Sequence, residues 1–115
     1  MKALEIDPQS QQVKTVNFEL NSRGDFKTDF RGTAVSYGQE FAKGDILYYD
    51  IDGGKNGNNR AFMLKDSGEA VFGKAYVIAT SKQSEYFKWV NTRYTVNQLM
   101  NEIVFCNKEE SDDLR

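Results

Sequence analysis

Polar and apolar residues alternate with a period of two over much of this chain, the pattern of strands that turn one face to a core. Ala3 to Ile6 reads as a short opening strand that stops at Asp7–Pro8, because proline has no amide proton to give to a ladder. From Thr15 to Leu20, Val16, Phe18 and Leu20 share one face, and Thr15, Asn17 and Glu19 share the other. Phe26, Thr28 and Phe30 then alternate with Lys27, Asp29 and Arg31, and the turn-forming run Asn21 to Asp25 between the two stretches predicts a hairpin.

Ile46 to Ile51 is apolar on both faces and reads as a central strand. A Gly/Asn-rich loop, Asp52 to Asn59, leads to a strand at Ala61–Leu64, and Asp66–Ser67–Gly68–Glu69 makes the next turn. Ala70 to Ala79 is the longest apolar segment, broken only by Gly73 and Lys74, and its Val71, Phe72, Tyr76, Val77 and Ile78 favour strand over helix. Ser84 to Val90 fits either helix or strand. The clearest helix start is Thr95–Val96–Asn97–Gln98, a capping box in which threonine and glutamine each satisfy the other's backbone amide. Val96, Leu99, Met100, Ile103, Val104 and Cys106 fall on one face of a helix running to Asn107, with Phe105 on its otherwise polar side. These elements predict an α+β domain over residues 1–106. Its core is a mainly antiparallel sheet of five or six strands, flat or curled like a barrel, with one C-terminal amphipathic helix.

The chain has 115 residues, one cysteine and no histidine, which excludes an internal disulfide and a cysteine-built zinc site and removes the commonest general base near neutral pH. Residues 107–115 hold Glu109, Glu110, Asp112 and Asp113 against Lys108 and Arg115, an acidic tail that carries the whole net charge of -2. The rest balances, so a protein whose affinity comes chiefly from neutralising phosphates is not expected. Charges at Lys2, Glu5 and Asp7 interrupt any leader-like apolar stretch, and no run is long enough to span a membrane. Together with the single thiol, this predicts a soluble cytoplasmic protein.

Candidate chemistry is sparse. The loop Asp52 to Asn59 departs from a calcium loop, since its third position is Gly54 and its closing position is Met63. Its glycines and the cations Lys55 and Arg60, with Asn56 and Asn59, resemble a phosphate cradle without the ending of a P-loop. A flexible hairpin loop explains the same composition. Asp50, Asp52, Asp66 and Glu69 are the clustered carboxylates, although turns use aspartate for local backbone bonding. Cys106 lies on an apolar face with no histidine to activate it, so it reads as a small buried hydrophobe. No metal site, cofactor or nucleophile–base–orienter set is predicted. Tyr86, Phe87, Trp89 and Tyr94 crowd the stretch before the helix; Tyr86 and Trp89 with Phe105 are candidates for an interface.

Three stretches resemble an uncharacterised small domain family of phages, prophages and other mobile elements: MKALEIDP at the start, Asn59–Arg60–Ala61 with the acid-rich turn 66–69, and GKAYVIA at Gly73 to Ala79. The resemblance covers about half the chain and implies an origin among mobile genes, without an activity. Residues 15–38 depart from it, reading as a hairpin where that family has a helix. It nominates Asn59 and Arg60 as site positions. The expected function is a non-catalytic binding or interaction module, with a host protein among its possible partners. The alternative is a nucleotide or nucleic-acid binder using Lys55 and Arg60, and a small carboxylate enzyme ranks third. Because the strands 46–51 and 70–79 are apolar on both faces and only one helix is predicted to cover them, a symmetric homodimer is expected.

Overall fold

A computed structural model of the chain describes residues 2–19, 35–40, 45–50, 59–83, 86–107 and 109. The described strands are β1 (Lys2–Asp7), β2 (Gln12–Asn17), β3 (Val35–Glu40), β4 (Asp45–Asp50), β5 (Arg60–Leu64), β6 (Ala70–Phe72), β7 (Ala75–Gln83), β8 (Tyr86–Val90) and β9 (Ile103–Asn107), with one helix, α1 (Val96–Glu102). They form two open antiparallel sheets. The larger has the order β2-β1-β7-β4-β3, with β8 also on β7, and the smaller has the order β6-β5-β9. The α+β class stands. The single, possibly barrel-like sheet of five or six strands does not, because β5, β6 and β9 pair only with one another among the described strands.

The first strand ends where proline requires. The Gln9 amide donates to Asp7 Oδ1 at 3.0 Å, and Gln11 adopts φ 55°, closing a hairpin that pairs Ile6 with Val13 and Leu4 with Thr15. The expected hairpin partner at Phe26–Phe30 lies outside the described residues, as do Leu20 and the loop 51–58. Ala70 to Ala79 is not one strand. Gly73 sits at φ 85°, a conformation that side chains with a Cβ rarely adopt, and its amide donates to the Arg60 carbonyl at 3.1 Å. That kink separates β6 from β7 and lets one apolar run serve both sheets.

Alternation then sorts the side chains into three clusters. Leu4, Ile6, Leu47, Ala75 and Val77 of the large sheet meet Phe62, Leu64, Val71 and Ile103 of the small one, with Leu99 of α1 among them. Leu4, Ile6, Leu47, Phe62, Val77 and Leu99 are at most 1% exposed. At roughly 1.5–3 kcal/mol for each large apolar side chain buried, this cluster outweighs any single polar contact in the domain. The opposite face of the large sheet carries Ala3, Phe18, Tyr48, Tyr76 and Ile78, and the outer face of the small sheet carries Ala61, Met63 and Cys106. Tyr48, Tyr76 and Ile78 are 6%, 8% and 0% exposed in the single chain. Ile46 and Tyr49 of β4 are half-buried, and the expected two-fold partner rests on the sequence pattern alone.

The helix begins as its sequence dictates. Thr95 Oγ1 accepts from the Gln98 amide at 3.2 Å, and Gln98 Oε1 accepts from the Thr95 amide at 2.9 Å. It does not run to Asn107. It ends at Glu102, and Ile103–Asn107 pairs residue by residue with β5, from Leu64↔Ile103 to Arg60↔Asn107. Ile103, Val104 and Phe105 are β-branched or aromatic, and here their strand preference coincides with a free edge of β5. The switch reverses the expected burial. Met100 and Val104, assigned to the buried helix face, are 41% and 40% exposed, whereas Phe105 packs against the inter-sheet cluster.

Candidate functional site

The buried polar chemistry of the described residues centres on Asp45, at the first position of β4 and fully buried. Its Oδ2 accepts from Thr92 Oγ1 at 2.6 Å and from the Arg93 amide at 2.9 Å, and its Oδ1 accepts from Arg93 Nη1 at 3.0 Å. Thr92 Oγ1 in turn accepts from the Tyr94 amide at 3.3 Å, so one carboxylate orders the whole entry to α1. The same segment is tied to β1: the Thr92 amide donates to the Lys2 carbonyl at 3.0 Å, and the Lys2 amide donates to Asn91 Oδ1 at 2.8 Å. A buried carboxylate that accepts from this many donors is a fixed point of the fold, a structural clamp. Nothing local in the sequence marks it, because its partners lie 47 and 48 residues further on.

A second buried carboxylate, Glu5, faces the other side of the large sheet. It is 8% exposed and stands opposite Lys14 in the β1–β2 ladder, with Nζ 3.5 Å from Oε1. No hydrogen bond reaches that oxygen. Tyr76 and then Tyr48 continue the row across β7 and β4, and both are core residues of the second cluster. Tyr76 is therefore part of the interior.

The described site residues read from the sequence are spread over both sheets. Asn59 and Arg60 are exposed at the entrance to β5, where Arg60 lies opposite Asn107 and its carbonyl receives the Gly73 amide. Lys55 and Asn56 lie outside the described residues, as does Asp52. Asp66 and Glu69 occupy the turn beyond the other end of β5, closed by Gly68 N–H to the Leu64 carbonyl at 2.8 Å and Leu64 N–H to the Glu69 carbonyl at 3.0 Å. A five-residue strand separates that turn from Arg60, about 14 Å at the usual rise per residue. These carboxylates belong to a turn, and Asp50 is the last residue of β4. Cys106 is buried with Ala61 and Met63. Among the described residues no three His, Cys, Asp or Glu side chains are placed to hold a metal ion, and no helix is long and apolar enough to cross a membrane.

Tyr86 and Trp89 fall on β8, and Phe105 falls on β9 in the other sheet. The ambiguous stretch before the helix is thus a strand. It pairs with the C-terminal part of β7 through Ala79↔Val90, Thr80↔Trp89, Ser81↔Lys88, Lys82↔Phe87 and Gln83↔Tyr86. The β4 ladder with β7 stops at Ala79, and the β1 ladder stops at Val77. Residues 80–83 therefore pair with β8 and with no other described strand. Among the described residues, positions 80–83 and 86–89 form a two-stranded ladder of their own. By register, positions 80, 82, 87 and 89 share one face of this ladder, and positions 81, 83, 86 and 88 share the other. No family model, curated protein or solved structure matches the chain.

Proposed function

We propose that this chain is a non-catalytic binding module that meets its partner through the β7–β8 strand pair. The observation that carries the reading is the ladder itself. Residues Ala75 to Val77 of β7 have strand neighbours on both sides, while, among the described residues, Thr80 to Gln83 pair only with the four β8 residues Tyr86 to Trp89. The buried ionisable groups support the same reading from the other direction. Asp45 holds the strand-to-helix connection, Glu5 is paired with Lys14, and the thiol of Cys106 is packed in an apolar cluster. Their roles are in folding, and binding is left to the surface. The resemblance of three stretches to a domain family of mobile elements implies an origin among mobile genes, and a host protein is the partner in keeping with that origin.

Site-specific photo-cross-linking tests this reading. A photoreactive residue at Gln83 on that pair is expected to yield adducts in extract of the native host, whereas one at the exposed Gln12 on β2 is expected to yield none. Equal labelling from the two positions, or labelling from Gln12 alone, overturns it.

A further inference from the structure

The helix α1 ends without the features that ordinarily end one. No glycine follows it and its last turn carries no basic side chain. Its C-cap is Ile103, in extended backbone at φ -127° and ψ 157°, so β9 begins with no connecting residue. The side-chain pattern does not stop at this junction. Val96, Leu99, Met100, Ile103 and Val104 keep the helical spacing of three and four across it. The two exposed members of that stripe, Met100 and Val104, stand four residues apart on either side of the change. One backbone acceptor is contested there. The Glu102 carbonyl accepts from the Lys65 amide at 3.0 Å, where a longer helix would offer it to the Cys106 amide. What keeps residues 103–107 extended is therefore outside them: the ladder with β5, and the burial of Ile103 and Cys106 that it brings. Lengthening an existing helix needs no new nucleus, so the segment has a ready alternative once that ladder opens.

We infer that Ile103–Asn107 is a conformational switch, a strand while docked on β5 and a continuation of α1 when released. Release takes Phe105 and Cys106 out of their apolar clusters, which makes the docked form the resting one. In the released form β5 keeps β6 as its neighbour among the described strands, and its edge from Arg60 to Leu64 is open to another strand. The device is independent of the β7–β8 reading, because it involves neither of those strands.

Saturation-transfer NMR of the full chain reads a minor state and its backbone conformation together. Ile103 to Asn107 are expected to exchange in concert with a minor state whose α-carbon shifts lie on the helical side of random coil, while β1 and β7 show none. Val104→Ala replaces an exposed β-branched residue by the best helix former and is expected to raise that population about three-fold. Ala61→Cys places a second thiol opposite Cys106; its oxidised form ties β9 to β5 and is expected to lose the minor state, which returns on reduction. Minor-state shifts at random-coil values overturn the inference, since they mean simple fraying of the strand. It is equally overturned by a population that Val104→Ala leaves unchanged, by a minor state absent from both the parent chain and that variant, or by one that persists in the oxidised form.

Discussion

Replacing Asp45 by alanine is the sharpest perturbation of the fold. The carboxylate is fully buried, and its removal leaves the Thr92 hydroxyl, the Arg93 amide and the Arg93 guanidinium without their acceptor. Hydrogen bonds to a charged group contribute about 1.5–3 kcal/mol each, which gives an upper bound well above 5 kcal/mol for the set. That bound is too high. The Arg93 side chain is 36% exposed and recovers water when its partner goes, and the Thr92 hydroxyl can rotate toward another acceptor. The Arg93 amide has the least freedom to recover. A loss of about 3–4 kcal/mol is therefore expected, in line with removing one member of a buried pair. Asp45→Asn keeps one acceptor oxygen and is expected to cost about half as much. Equilibrium denaturation in urea reads both, provided the slope m is unchanged. A double-mutant cycle with Thr92→Val then isolates the 2.6 Å contact. A loss below about 1 kcal/mol for Asp45→Ala would refute the clamp, since it would fall within the range of an ordinary exposed interaction.

Four further outcomes follow from the same geometry. Thr95→Ala removes the Oγ1 acceptor of the capping box and is expected to cost about 1 kcal/mol by chemical denaturation. Val104→Lys is expected to change stability by less than about 0.5 kcal/mol because the position is exposed. Leu99→Ala, at a fully buried position, is expected to cost about 2–5 kcal/mol; a severe loss at Val104 would restore the longer helix. Glu5→Gln removes a buried charge whose pairing among the described residues is a 3.5 Å contact to a mostly exposed lysine, and the melting temperature is expected to stay level or rise; a clear fall would mean that the pair holds the hairpin.

The strands were legible wherever short-range chemistry decides them. Asp7–Pro8 ends β1, the turn at 66–69 closes β5 onto β6, and Thr95 with Gln98 starts α1, all features of a few consecutive residues. The end of the helix was not legible. Leu99, Ile103 and Cys106 satisfy a helical spacing, yet Ile103 with Phe105 against Val104 with Cys106 also satisfies a strand's alternation. What decides between them is the vacant edge of β5, roughly forty residues earlier in the chain. Gly73 posed a similar problem. A glycine inside an apolar run is equally consistent with a bulge in one strand and a passage between two sheets, and only the hydrogen bond to Arg60 distinguishes them. The Asp45 clamp depends on partners too distant in sequence for any spacing rule. Of the site positions, Tyr86 and Trp89 came together on one strand, and Phe105 was drawn into the inter-sheet core by the same strand switch that shortened the helix.

Amide hydrogen exchange tests the Asp45 clamp most directly. In Asp45→Asn, faster exchange is predicted to concentrate at Thr92, Arg93 and Tyr94, with β5 and β9 exchanging at unchanged rates. Unchanged exchange at Arg93, or faster exchange spread evenly over both sheets, would contradict it.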